Sequence, residues 1–191
     1  MGTSRPPGRS DTAVALTGTP GTGKTSVGRL LRRSRPVVEV ADLALREGSV
    51  RRRRGGQVEV RLDALSRFVA RPGTLPDRAV VVGHLAHLLP LPDAVVLRCR
   101  PDALARRLRR AHRGTVRDRK ENFLAEALDV VLLEARYVRR RVWEVDTTGR
   151  SVASVAAEVR DLIERRPRAR FGSVDWLSDR RVAAHLLDPP G

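Results

Sequence analysis

The chain has 191 residues, enough for one ordinary domain that buries about two-thirds of the surface its unfolded form exposes. Hydrophobic residues make up 41% of it and aromatic residues only 3%, so the core must come from Val, Leu and Ala, and aromatic base-stacking platforms are excluded as a main theme. The formal charge of +16 is scattered over arginine clusters at residues 51–54, 106–110, 139–141 and 165–170, with Lys24 and Lys120 the two lysines, so it admits both direct RNA contact and merely solvated basic faces.

Cys99 stands alone, so no intramolecular disulfide can form, and it reads as a small apolar residue at the end of a buried strand. Arg5 and Arg9 near the start are followed by no apolar segment, and no run of 18 apolar residues occurs. The expectation is a soluble, cytoplasmic protein with no membrane partner.

In chain order, residues 1–11 are rich in Gly, Pro, Ser and Arg and read as a disordered leader. Residues 13–16 form an apolar run, followed by the Gly-rich GTPGTGKT and a helical pattern through Leu30 and Leu31: strand, loop, helix. A second strand is expected at residues 37–40 and a short helix N-capped by Asp42, then an Arg- and Gly-containing stretch, residues 48–57, that reads as a mobile loop or flap. Leu62, Leu65, Phe68 and Val69 have helical spacing.

Residues 79–82 and 94–97 are continuous apolar runs, the pattern of parallel strands buried on both faces. Residues 102–111 read as a helix, 112–119 as a polar loop, and 121–139 as one long helix with Leu124, Leu128, Val131 and Leu132 inward. A fifth strand at residues 142–145 and a helix from Ser151 through Ile163 complete a kinase-sized domain over residues 12–164, and residues 165–191 read as a basic C-terminal tail. Alternating strands and helices predict an α/β three-layer sandwich around a five-stranded parallel sheet.

Residues 18–25 match G-x-x-x-x-G-K-[ST] between an apolar strand and a helix, the context that makes this motif a phosphate-binding P-loop. Glycines let backbone N–H groups turn inward around a phosphate, Lys24 reaches the β- and γ-oxygens, and the Thr25 hydroxyl ligates Mg²⁺, so ATP with Mg²⁺ is the expected cofactor set. The P-loop alone leaves the reaction open. A guanine-reading N-K-x-D is absent, and a motor ATPase is usually larger. A small-molecule kinase needs an acceptor site and a lid, and the loops at residues 42–57 and 112–120, the latter carrying His112, Arg113, Arg117, Arg119 and Lys120, stand in place for both. His84 and His87 give an H-x-x-H spacing with no third ligand nearby.

With AVALTGTPGTGKTS, EVADLA, GHLAHLLP, VVLRCRPDALARRL, KENFLAEALDVVLLEA and WEVDTTGRS, residues 13–164 resemble the atypical adenylate kinase family of the isoenzyme-six type, found in archaea and in eukaryotic nuclei; FGSVDWLSD in the tail resembles archaeal members. The resemblance implies phosphorylation of AMP, or another nucleoside monophosphate, by ATP. It also implies some ATPase activity and a role in small ribosomal subunit maturation through a ribosomal protein of the subunit platform. By position it assigns Gly21, Gly23, Lys24, Thr25 and Ser26 to the ATP phosphates and Arg113 to a lid over residues 112–122. It puts Asp42 and Arg46 in an acceptor segment over residues 39–57, and His84 in a D-x-H or E-x-H element with a catalytic role. The chain departs from the family in three places: Val82 replaces the acid of that element, Leu45 stands where the acceptor arginine is usual, and RRRRGG replaces an acidic acceptor loop.

Overall fold

The computed structural model describes residues 13–52, 58–139 and 141–191; the leader expected over residues 1–11 lies outside them. The chain runs β1 (Val14–Thr17), α1 (Lys24–Leu31), β2 (Val37–Glu39), α2 (Val40–Glu47), β3 (Val50–Arg52), β4 (Val58–Val60), α3 (Leu62–Val69), β5 (Val80–Val82), a 3-10 turn at Ala86–Leu88, β6 (Asp93–Arg98), α4 (Pro101–Arg110), α5 (Val116–Ala127), α6 (Val130–Val138), β7 (Arg141–Asp146), α7 (Val152–Arg165) and α8 (Arg180–Ala183). Five strands pair in the order β2-β5-β1-β6-β7, and every pair is parallel. β1, the central strand, sits between β5 and β6, with Val14 in register with both Val80 and Asp93.

Successive side chains on a strand point to opposite faces, so a sheet covered on both sides needs unbroken apolar runs. Ala13 and Ala15 pack with Leu43, Leu65, Val81 and Leu89 on the face carrying α2 and α3. Val14, Leu16, Val80 and Val82 pack with Val27, Leu31, Val159 and Ile163 on the face carrying α1 and α7. These are the three layers expected from the alternation of apolar strands with helices.

Four local expectations change. Asp42 does not cap α2: the helix begins at Val40, directly after β2, with Glu39 in the N-cap position and Asp42 inside the first turn. The flap is in part a hairpin, β3 pairing antiparallel with β4, while residues 53–57, including half of the arginine run, lie outside the described residues. The polar loop before α5 is short, because Thr115 and Asp118 form a reciprocal capping box that starts the helix at Val116. The long helix is two helices. Asp129 breaks it in the left-handed conformation, at φ 57, which an Asp tolerates better than most residues, and its carboxylate turns to the buried Arg98. The break also rotates Leu128, expected inward, to 51% exposure.

The C-terminal residues dock on the body. Arg170 bridges Trp143 in parallel alongside β7, exchanging backbone hydrogen bonds with Val142 and Glu144, and Trp176 enters a cluster with Ala105, Phe123, Ala127 and Val182. No helix among the described residues is long and apolar enough to cross a membrane.

Candidate nucleotide-binding site

The loop after β1 lies at the carboxyl end of the central strand, where open α/β sheets receive ligands, and leads into the N-terminus of α1. Two of its glycines are required sterically. Gly18 has φ 139, and a Cβ there would lie 2.3 Å from the Leu97 carbonyl oxygen; Gly21 has φ 95, and a Cβ would come within 2.8 Å of Leu104 on α4. Gly23, also left-handed, occupies the N-cap of α1. The loop is tied internally, since the Thr19 carbonyl accepts from both the backbone N–H and the hydroxyl of Thr22.

Lys24, the first residue of α1, is buried, and its ammonium donates to the carbonyls of Gly18 at 2.7 Å and Thr19 at 3.0 Å. Burial lowers its pKa to about 8; Glu126 acts to raise it and Arg113 to lower it further. Arg113 therefore stands within electrostatic reach of the P-loop lysine. His84 does too: partial withdrawal from water, then the Lys24 charge, then His87 push its pKa down, so its imidazole is neutral at physiological pH. Thr25 and Ser26 are exposed on the first turn of α1. Lys24 thus stands in the loop that carries Gly21, Gly23, Thr25 and Ser26, and the charge of Arg113 bears on Lys24 while that of Lys24 bears on His84.

Asp42 and Arg46 lie one helical turn apart on α2, both exposed, and the Arg46 guanidinium sits 5.8 Å from the Phe68 ring centroid on α3. Leu45 is 67% exposed beside them, an apolar side chain turned to water. Val82 is 1% exposed in the core beneath α1, so close that a Cβ on Gly28 would meet its methyl at 3.1 Å.

His84 and His87 do not converge as metal ligands. His84 is exposed, whereas His87 is buried with Nδ1 2.8 Å from the Thr17 hydroxyl and Nε2 2.9 Å from the Glu134 carboxylate. Burial lowers the His87 pKa, against the pull of Glu134, which acts to raise it. Thr17 also donates to the His84 carbonyl at 3.2 Å, which fixes the backbone of the segment bearing His84 to the end of β1.

A second support was missed by sequence reasoning. Glu126 on α5 is buried and accepts from the Thr19 hydroxyl at 2.5 Å, from Arg98 Nε at 2.8 Å, from the Cys99 N–H at 3.0 Å and from the Trp176 indole at 3.3 Å. Arg98 also donates to Glu144 at 2.6 Å and to Asp129. Burial opposes its charge, but the Glu126 and Asp129 carboxylates outweigh that and raise its pKa. Cys99 is buried, as expected of a strand-end residue, and burial pushes its thiol up to about 11.

Residues 14–129 match the family model described as an AAA domain. A protein of Pyrococcus abyssi named "Putative adenylate kinase" is 41% identical over 85% of this chain and 90% of its own length; one of Archaeoglobus fulgidus with the same name is 39% identical over 87% and 92%. Shikimate kinase from Acinetobacter baumannii, 16% identical, shares the fold with a TM-score of 0.57 over 81% of this chain and 94% of its own.

Proposed function

Because the chain belongs to the P-loop family of these archaeal relatives, each named putative adenylate kinase, we propose that it is a nucleoside monophosphate kinase that moves the γ-phosphate of ATP onto AMP. The observation that carries the reading is the Lys24 ammonium seated on the Gly18 and Thr19 carbonyls of a loop that leaves no room for a Cβ at Gly18 or Gly21, with Arg113 and His84 in electrostatic reach of it. An oxygen of the acceptor phosphate attacks the γ-phosphorus in line, the bond to the β–γ bridging oxygen breaks, and ADP leaves with that electron pair. The protein supplies no nucleophile, so its work is positioning and charge stabilisation.

Lys24 would exchange its two carbonyl partners for β- and γ-oxygens, and Arg113 would complete the charge complement as the lid closes. Neutral His84, its backbone anchored through Thr17, would orient the transferring group by hydrogen bonding and not by charge. Mg²⁺ fits the exposed Thr25 hydroxyl on the first turn of α1, and when bound it neutralises charge across the β- and γ-oxygens. On the acceptor side, exposed Asp42 and Arg46 would receive the monophosphate.

One observation favours a second reading. Apolar Val82 ends β5 where relatives are expected to carry an acid that holds the metal's waters, which suits an assembly ATPase acting on a small-subunit ribosomal partner, or on RNA, with weak phosphotransfer. An exposed Leu45 in place of an acceptor arginine also leaves room for another small acceptor. A coupled assay with ATP and a panel of monophosphates, run beside ATP alone, decides among these. AMP-dependent ADP formation well above the ATP-only rate supports the kinase, and equal rates overturn it.

A further inference from the structure

Thr19 has two duties in the P-loop. Its carbonyl holds the Lys24 ammonium and both donors of Thr22, while its hydroxyl is bound to Glu126. Whatever moves Glu126 therefore moves the residue against which the phosphate-binding lysine rests. Glu126 is 2% exposed, and an ionised carboxylate only accepts hydrogen bonds, so the donors that converge on it fix its position. Its Oε2 serves Thr19, and its Oε1 serves Arg98, Cys99 and Trp176.

The last of those donors belongs to the C-terminal segment. The Trp176 ring is 8% exposed and lies against α5 residues Phe123 and Ala127, on the helix that bears Glu126. A second strand of the network runs in parallel, for Ser173 donates from its backbone and hydroxyl to Glu144, which in turn holds Arg98. Hydrogen bonds from Ser173 and Trp176 thus end on two of the three carboxylates that bind Arg98, and one of those two, Glu126, grips the P-loop.

We propose that Glu126 is a positioning residue that couples docking of the C-terminal segment, through Trp176, to the grip of the P-loop on ATP. Seating of Trp176 holds Glu126 against Thr19 and so keeps the Lys24 cradle in its phosphate-ready form. By linkage, ATP must tighten the seating of the segment by the same factor. The inference rests on the kinase reading only in taking Lys24 as the ATP-binding lysine. Removal of the segment by a partner would release nucleotide without touching the P-loop.

The test measures binding of a non-hydrolysable ATP analogue with Mg²⁺ to the full chain by calorimetry, for wild type, Trp176→Phe, Glu126→Gln and the double variant. Trp176→Phe keeps a buried aromatic ring while removing the N–H donor and part of the indole's bulk, and thermal melting measures what that loss of bulk costs. Expected are roughly tenfold weaker binding for Glu126→Gln and severalfold for Trp176→Phe, which makes no P-loop contact. In the Glu126→Gln background Trp176→Phe should have no further effect, since the path is already cut. Saturating analogue should also slow amide exchange at Arg170 and Ser173. Wild-type affinity in Trp176→Phe together with unchanged exchange overturns the coupling, as does an additive cycle, because a merely structural cluster lowers melting temperature and leaves affinity alone. A protein that passes these tests yet phosphorylates no monophosphate sinks the kinase assignment and leaves this one standing.

Discussion

The Lys24 ammonium donates at 2.7 Å to the carbonyl of Gly18, the residue that opens the same loop, so the cation and the backbone it serves form a closed ring. An ATP phosphate must break that ring to reach the lysine, and it gains a cation already drained of hydration. Lys24→Ala should therefore lower phosphotransfer by at least about a hundredfold, as one such contact is typically worth about 3 kcal/mol in a transition state. Steady-state turnover within a few-fold of wild type would contradict that role.

The same burial sets a pH dependence. In the folded protein the Lys24 pKa is about 8 against 10.5 for an ordinary lysine, so between these values the native state binds fewer protons than the unfolded chain, and stability rises with pH across that window. Below about pH 8 the buried charge is a cost to folding that ATP phosphates relieve. Affinity for ATP should accordingly fall as pH rises through about 8, by up to roughly tenfold per unit above it. Titrations at pH 7 and 9.5 check this, and Lys24→Ala should abolish the slope.

Arg113 is exposed, yet its charge is felt at Lys24. A contact completed on lid closure stabilises the transition state more than the ground state, so Arg113→Ala should depress kcat with little change in ATP affinity. Loss confined to affinity would make Arg113 a ground-state binder.

Val82 lies sealed between Leu16, Val27 and Gly28. A carboxylate there would stay protonated beneath α1 and lose solvation, so Val82→Asp should cost about 2–4 kcal/mol and lower the melting temperature by roughly 5–15 °C without raising turnover at limiting Mg²⁺. Higher turnover at unchanged stability would mean that the acid reaches the metal's waters, and that its loss throttles the wild-type enzyme.

The sheet was legible because each parallel strand buried on both faces must be an apolar run, and the P-loop because its steric demands leave few residue choices. Elements decided by tertiary partners were not. The helical hydrophobic pattern continues on both sides of Leu128 and Asp129, and nothing local shows that Asp129 turns left-handed with its carboxylate on Arg98. The β3–β4 hairpin carries Arg at two of the three β3 positions, which reads as loop until the antiparallel partner is known. Glu126 looks like any solvated helix acid, since nothing nearby in sequence announces Thr19, 107 positions away, or Trp176, 50 positions away.

The short pairing of Arg170 with Trp143 has a consequence beyond the site. β7 is an outer strand six residues long, and an open strand of that length is a template on which a second chain can lay its own backbone. The Arg170 amide and carbonyl occupy the central donor and acceptor of that template, at Val142 and Glu144, and Pro167 takes the Trp143 indole proton beside them. The opposite margin, β2, is only three residues long and is itself a poor template. Cutting the chain after Arg166 should thus make the protein self-associate with time and concentration more than the intact chain does, a change that light scattering would follow directly.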